Sequence, residues 1–297
     1  MKPLNVLSLF DGAGIGLLAL KRAGIPVAKY YASEIDKYAI QIAKKNHPEI
    51  IHIGDVKNVW ARNLPKIDLL IGGSPCQDLS IAKSNREGLK GARSGLFWHY
   101  VRLLRTTNPK YFLLENVASM RKEDRDKITE ILCFGPALLD SKYFSAQNRE
   151  RLFWTNLPIT KPEKESQLVL RDIMLSGVDE KYFYNYPLED VDMSKQVCAL
   201  MQYKNHDIHR RILNPNFKSN TLTCCGGGNT EKKVLDNGRA RKLTPTEYER
   251  LQTWPDGYTE GVSNTQRYKM LGNGWTADVI AYIFSFIPKE EEKWKYI

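Results

Sequence analysis

Across its first 157 residues the chain alternates short apolar runs with amphipathic stretches, and five of the apolar runs stop at a glycine or an acid. Val6-Leu7-Ser8-Leu9-Phe10 stops at Asp11-Gly12, residues 29–33 at Glu34, and residues 50–53 at Gly54-Asp55. Residues 67–71 stop at Gly72-Gly73, and residues 111–114 at Glu115-Asn116. Residues 17–23, 36–45 and 95–106 carry helical patterning. Alternation of this kind predicts an α/β fold with a parallel sheet and helices on both faces. Parallel strands end on one edge, where open α/β folds bind ligands. The chain is therefore expected to gather glycines, acids and the residues just past Gly73 along a single rim.

Directly after Gly73 the chain reads Ser74-Pro75-Cys76-Gln77. A glycine pair and a proline force a sharp turn at the strand end. Cys76 is thereby delivered to the rim as a candidate nucleophile, although a lone cysteine is more commonly inert packing. The hexapeptide by itself leaves both open. The five cysteines, at 76, 133, 198, 224 and 225, make no CxxC pair and no metal-ligand spacing with the five histidines. No metal is expected, and disulfides are not expected in a reducing cytoplasm.

The net charge is +10, from 44 basic and 34 acidic residues. That balance favours an anionic partner, since Lys and Arg neutralise phosphates without regard to sequence. The excess concentrates just after Cys76: residues 80–105 hold Lys83, Arg86, Lys90, Arg93, Arg102 and Arg105 against Glu87. No run approaches the roughly 20 apolar residues a membrane helix needs, and the N-terminus lacks the features of a signal peptide. A cytoplasmic protein with no membrane partner is expected.

The pattern changes after Pro158. Residues 160–240 hold short aromatic and turn-rich pieces such as 182–187 and 224–229, with little helical periodicity. They read as a smaller, irregular second domain, 159–244. Helical signals return from Thr246, and the apolar segment 276–287 is expected to pack back onto the first domain. The expected division is thus 1–158 with 245–297, and 159–244.

The first strand ends in Phe10-Asp11-Gly12-Ala13-Gly14-Ile15-Gly16. Glycines there allow a tight turn and close approach of a ligand to the backbone. Leu17 breaks the GxGxxG spacing of a dinucleotide fingerprint, which weakens that reading. A glycine turn can also cradle an amino-acid moiety, as in S-adenosylmethionine enzymes. Glu34, ending the second strand, is suited to accept hydrogen bonds from ribose hydroxyls. Asp55, ending the third, is suited to accept from an adenine amino group. Each acid alone is more readily a helix cap or part of a surface loop; three such signals at successive strand ends are harder to read that way.

Together with Pro75-Cys76-Gln77, Glu115-Asn116-Val117, Gln147-Asn148-Arg149-Glu150-Arg151 and Gly272-Asn273-Gly274, the first-strand motif forms an ordered set that resembles the DNA (cytosine-5)-methyltransferase family. Arg241-Lys242-Leu243-Thr244-Pro245, Glu247, Arg250-Leu251-Gln252 and Pro255-Asp256-Gly257-Tyr258 resemble another block of that family. The likeness covers the chain except about residues 160–235. It implies a Rossmann-like mixed sheet, S-adenosylmethionine as cofactor, duplex DNA as substrate, and a target-recognition domain in the variable region. It resembles the animal de novo branch in Ser74-Pro75-Cys76 and Ala32-Ser33-Glu34, yet the short chain looks like a free-standing prokaryotic or viral methylase, monomeric, with a cognate restriction endonuclease as an allowed partner.

The resemblance implies roles residue by residue. Cys76 adds to carbon 6 of a flipped-out cytosine, and Glu115 pairs with N3 and the exocyclic amine. Arg149 and Arg151 match paired arginines, of which one contacts the cytosine carbonyl. Residues two apart on a strand face the same side, which allows both arginines to point into the pocket and leaves a surface ion pair as the alternative. Phe10, Asp11, Gly12, Gly14, Gly16, Glu34, Ile35, Asp55, Val56, Ser74, Pro75, Asn273 and Trp275 are expected at the cofactor. Gln77, Ser80, Arg86, Arg93, Thr221, Thr223, Gly226 and Gly227 are expected at the DNA, the basic loop 80–95 closing over the extruded base. Ile35 and Gly274-Trp275 depart from the common family wording, which leaves the contacts of Ile35 and Trp275 open. Three other readings stay open: a transfer-RNA cytosine methylase, whose Cys-Phe-Thr signature is absent; a NAD-dependent oxidoreductase, which fails at Leu17; and a non-enzymatic DNA-binding regulator, which would not need both Cys76 and Glu115.

Overall fold

Leu4, Val6, Leu7, Ser8 and Leu9 are all buried, as expected of a central strand covered on both faces. They belong to β1 (Leu4–Leu9), an interior strand of a seven-stranded sheet in the computed structural model, which describes residues 1–74, 95–189, 191–225 and 229–289. The chain continues through α1 (Ile15–Arg22), β2 (Val27–Ser33), α2 (Lys37–Asn46), β3 (Ile51–His52) and β4 (Leu69–Gly73). After residues outside the description come α3 (Leu96–Thr107), β5 (Tyr111–Val117), α4 (Lys122–Leu132), β6 (Ala137–Asp140) and β7 (Glu150–Thr155).

The strand order is β3-β2-β1-β4-β5-β7-β6. Strands β1 to β5 pair in parallel, and β7 runs antiparallel to β5. The order reverses between β1 and β4, the switch point outside whose carboxyl ends such sheets bind ligands. Because β7 is reversed, its beginning reaches the same rim: Arg151 stands opposite Val117 at the end of β5.

Local signals set the helices. The Asp36 side chain accepts from the N–H groups of Tyr38 and Ala39, capping α2, whose Ala39, Ile42 and Ala43 are buried at helical spacing. Helix α3 buries Phe97, Tyr100, Val101 and Leu103, which join Leu7, Leu70, Phe112, Leu114 and Trp154 in one core cluster.

Residues Met1–Leu139, Glu150–Lys161 and Ala277–Ile297 make one compact unit; Asp140–Arg149 and Pro162–Thr276 make another. The second holds α5 (Leu170–Ile173), β8 (Leu188–Glu189), β9 (Val197–Met201), α6 (Asp207–Arg210), β10 (Arg211–Leu213), β11 (Lys233–Asp236), β12 (Arg239–Lys242), α7 (Pro245–Leu251) and α8 (Asn264–Asn273). Residues 140–149 and 245–276, expected with the first domain, thus group with the second, and residues 159–161, expected with the second, group with the first. The region expected to be irregular contains a five-stranded sheet, β12-β11-β10-β9-β8. Its strands are two to five residues long, too short to display an alternating pattern.

Two buried acids explain the 241–258 block. Glu247 completes a capping box with Thr244 and receives both terminal nitrogens of the fully buried Arg241, at 2.8 and 2.9 Å. Glu249 accepts from the N–H groups of Gly257 and Thr259 and from Arg267. The last helix among the described residues, α9 (Ala277–Phe284), packs on α1 in the first unit, where Arg22 pairs with Asp278 at 2.7 Å. No described helix is long and apolar enough to cross a membrane.

Candidate active site

The rim is built first from the turn after β1. Phe10, Gly12 and Gly14 all take positive φ, at 58°, 64° and 81°. For an aromatic residue that conformation is disfavoured and needs support from its surroundings. Asp11 N–H donates to Ser33 O at 3.2 Å, and Gly12 N–H donates to Glu34 Oε2 at 2.8 Å. The other Glu34 oxygen accepts from the N–H groups of Ile35 and Asp36. Glu34 therefore ties the glycine turn to the end of β2. A Cβ on Gly12 would meet nothing within 4 Å, so its backbone faces open space that a ligand can enter. Gly16 is different: a Cβ there would stand 2.4 Å from Tyr30 Oη and 2.5 Å from Ile71 Cδ1. Its glycine serves internal packing rather than the approach of a ligand. Gly14 is similarly hemmed by Ile50 and His47.

Beyond Glu34, Ile35 is 73% exposed, an apolar side chain held out at the rim. Asp55 caps the short turn that comes after it, accepting from Lys57 N–H at 3.0 Å, and Val56 behind it is buried. The glycine turn, two acids and an exposed isoleucine suit a group with an amino-acid end, a ribose and a flat base. The donor set fits S-adenosylmethionine.

Of the candidate reacting groups, Glu115 is among the described residues. Glu115 lies within β5 rather than just after it, beside Gly73 in register. Its Oε1 is 3.0 Å from Arg151 Nε, and the two side chains are 13% and 17% exposed. Arg151 also donates to Glu150 O. The carboxyl is thus fixed in direction while open to the rim. Asn116, a member of the Glu115-Asn116-Val117 motif with no role expected of it, is buried and donates to the Ser74 hydroxyl at 3.1 Å and to Ser74 O at 3.4 Å. It fixes the last described residue before Pro75 and Cys76; only its place beside Glu115 could have signalled this.

Arg149 and Arg151 do not share a pocket face, and the expectation from their spacing is corrected. Arg149 precedes β7 and is only 4% exposed. Its guanidinium donates to the carbonyls of Leu222, Gly272 and Gly274 at 2.9, 3.0 and 3.0 Å. Within the second unit it clamps the 221–225 segment to the end of α8. A Cβ on Gly272 would stand 2.2 Å from Thr223 O, so that junction admits only glycine. Thr221 donates to Asn148 O, and Thr223 is exposed. Gln252, buried, donates to Leu271 O and Gly274 O. Asn273 is exposed at the end of α8, and Trp275 O accepts from Trp254 Nε1 at 2.8 Å. Pro75, Cys76, Gln77, Ser80, Arg86, Arg93, Gly226 and Gly227 lie outside the described residues.

A family model described as C-5 cytosine-specific DNA methylase matches residues 4–289. Orphan methyltransferase M.Rho11sI of Bacillus phage rho11s is 30% identical over 287 residues, covering 80% of this chain. The chain spans about half, 53%, of that relative's length. Orphan methyltransferase M.SPBetaI of Bacillus phage SPbeta is 26% identical over an alignment of 444 positions, covering 98% of this chain and 100% of the relative. Among solved structures, the methyltransferase EhMeth of Entamoeba histolytica matches the fold with a TM-score of 0.73 at 18% identity, covering 97% of this chain and 100% of that one.

Proposed function

Because this chain belongs to the C-5 cytosine-specific DNA methylase family, we propose that it transfers a methyl group from S-adenosylmethionine to carbon 5 of cytosine in duplex DNA. One observation carries the reading: Glu115, oriented by Arg151, stands beside Gly73, and three residues later the sequence reaches Cys76.

Phe10, Gly12, Glu34, Ile35, Asp55 and Val56 would hold the cofactor, the acids taking its hydroxyl and amino donors and Ile35 its base. When bound, S-adenosylmethionine supplies an electrophilic methyl group on a sulfonium. The protein's part is to make carbon 5 nucleophilic. The Cys76 thiolate adds to carbon 6, and the electrons of the 5,6 double bond move into the ring. Glu115 holds N3 and the exocyclic amine and shares a proton with N3, so the added charge is not left bare. Arg151 keeps Glu115 aligned and offers donors toward the cytosine carbonyl. Once carbon 5 carries the methyl group, loss of its proton and cleavage of the sulfur–carbon bond restore the double bond.

Carbon 5 is out of reach inside a stacked duplex, so the target base is flipped out. Arg86 and Arg93 contact phosphates, while Thr221, Thr223, Gly226 and Gly227 in the second unit meet base edges in the major groove. Arg149 acts by clamping that segment rather than by touching the base. The phage relatives are named orphan methyltransferases, and this chain is read likewise as working without a cognate endonuclease, as a monomer.

The test pairs two measurements. Cys76→Ala should abolish methyl transfer and keep duplex binding. A duplex bearing 5-fluorocytosine should trap wild-type protein covalently when S-adenosylmethionine is present, because fluorine cannot leave as a proton does. Full activity in Cys76→Ala, or an active enzyme that is never trapped, would overturn the covalent route.

A further inference from the structure

The Phe10–Gly14 turn, read above as the cofactor's cradle, is held from beneath by a group the mechanism does not use. Asp11 as a residue is half-buried, yet its Oδ2 is fully buried, with the Ser8 hydroxyl and the Gly14 backbone close enough to favour its charge. Its Oδ1 accepts from Tyr30 Oη at 2.6 Å. The carboxyl therefore points inward, under the turn, rather than out toward a ligand. Tyr30 is buried on β2, and its hydroxyl occupies the space a Cβ on Gly16 would fill. Three motif residues that look like ligand contacts in the sequence are thus explained in part by one another: Gly16 admits the Tyr30 hydroxyl, that hydroxyl holds Asp11, and Asp11 comes after Phe10 in its left-handed conformation.

We propose that Asp11 and Tyr30 are a positioning pair that presets the cofactor turn, acting on the bound ligand through the backbone of Phe10–Gly14 rather than by direct contact; the pair's role rests on the cofactor reading of that turn. A carboxylate kept under a turn that receives a cationic ligand also couples binding to its own ionisation. Burial pushes the Asp11 carboxyl up to about 6, with the nearby Glu34 charge adding to it and the Ser8 and Tyr30 hydroxyls and the Gly14 backbone opposing it. Those are the groups that face it from β1, from β2 and its end, and from the start of α1.

Isothermal titration of the full chain with S-adenosylmethionine, and separately with S-adenosylhomocysteine, tests this without any methyl transfer. Tyr30→Phe and Asp11→Ala should each weaken binding roughly tenfold, as loss of a preset conformation does, whereas Asp11→Asn, whose amide oxygen can still accept from Tyr30, should lose less. The double variant, Tyr30→Phe with Asp11→Ala, should be no weaker than the worse single one, because both act through one hydrogen bond. In wild type the affinity for S-adenosylmethionine should rise between pH 5 and 7.5, and in Asp11→Asn that rise should flatten. A Tyr30→Phe variant that binds as wild type, losses that multiply in the double variant, or a pH rise that survives Asp11→Asn would each overturn the proposal. Tyr30→Phe removes a single oxygen and keeps the test open if either Asp11 variant fails to fold. Wild-type protein binding neither ligand would instead refute the cofactor reading itself.

Discussion

Arg149 and Arg151 stand two residues apart in one motif, and replacing each by methionine should break different properties. Arg149 is 4% exposed and donates to three backbone carbonyls. Hydrogen bonds from a charged donor contribute about 1.5–3 kcal/mol each, and stranded buried acceptors cost about 1–3 kcal/mol each. Some of that is recovered when the apolar side chain packs and water reaches the rim of the site. Arg149→Met should therefore lower stability by about 3–5 kcal/mol, the range seen when one side of a buried charged contact is removed. Arg151 pairs with Glu115 at 3.0 Å in a partly open position. Losing that pair should cost about 1 kcal/mol of stability. It should however lower the methyl-transfer rate by about 100-fold, because the carboxyl loses its orientation and the ring a donor. Urea unfolding of both variants, followed by fluorescence, and single-turnover methyl transfer at a temperature where both remain folded would measure the split. Equal stability losses, or an Arg149→Met variant as stable as wild type and wholly inactive, would refute the assignment of clamp to one arginine and rim to the other.

Three further outcomes are expected. Glu247→Gln should destabilise by about 2–3 kcal/mol, since the buried Arg241 loses one carboxylate while keeping Asp236 at 2.6 Å, whereas Arg241→Met with Glu247→Leu should recover part of the loss in the same urea titration, Asp236 being left to water. Asp11 has a folded pKa of about 6 against an ordinary 3.8, so its contribution to stability is present below about pH 4 and lost as pH rises through 6; Asp11→Asn should gain about 3 kcal/mol relative to wild type between pH 4 and pH 7, and a constant difference across that window would refute it. Duplex binding should weaken steeply between about 50 and 200 mM salt if several phosphates are neutralised, and a flat dependence measured by fluorescence anisotropy would argue against the basic segment as the DNA contact.

Most of the first unit is legible because its central strands β1, β4 and β5 are buried on both faces and so read as continuous apolar runs ending in glycine or acid. Asp36 marks the start of α2 as a cap must. Of the two readings offered for Glu34 and Asp55, the structure displays the capping one, each accepting backbone hydrogen bonds at a strand end. The features that escaped the sequence are tertiary. The five-stranded sheet of the second unit is held by pairings such as β11 with β12 that no short run reveals. Arg149 turns away because it precedes β7, so the two-residue period of a strand does not apply to it. Gly16 answers to Tyr30, fourteen residues away on the next strand, a constraint visible only once α1 is packed on the sheet.

Methylation of carbon 5 is tested most directly by incubating the protein with duplex DNA and S-adenosylmethionine carrying an isotopically labelled methyl group, then digesting the DNA to nucleosides for mass spectrometry. Label is expected in 5-methyldeoxycytidine, none in a Cys76→Ala reaction, and none when transfer RNA replaces the duplex. Label on an exocyclic amine of cytosine or adenine, or on transfer RNA alone, would contradict the assignment of this chain as a cytosine carbon-5 methylase acting on DNA.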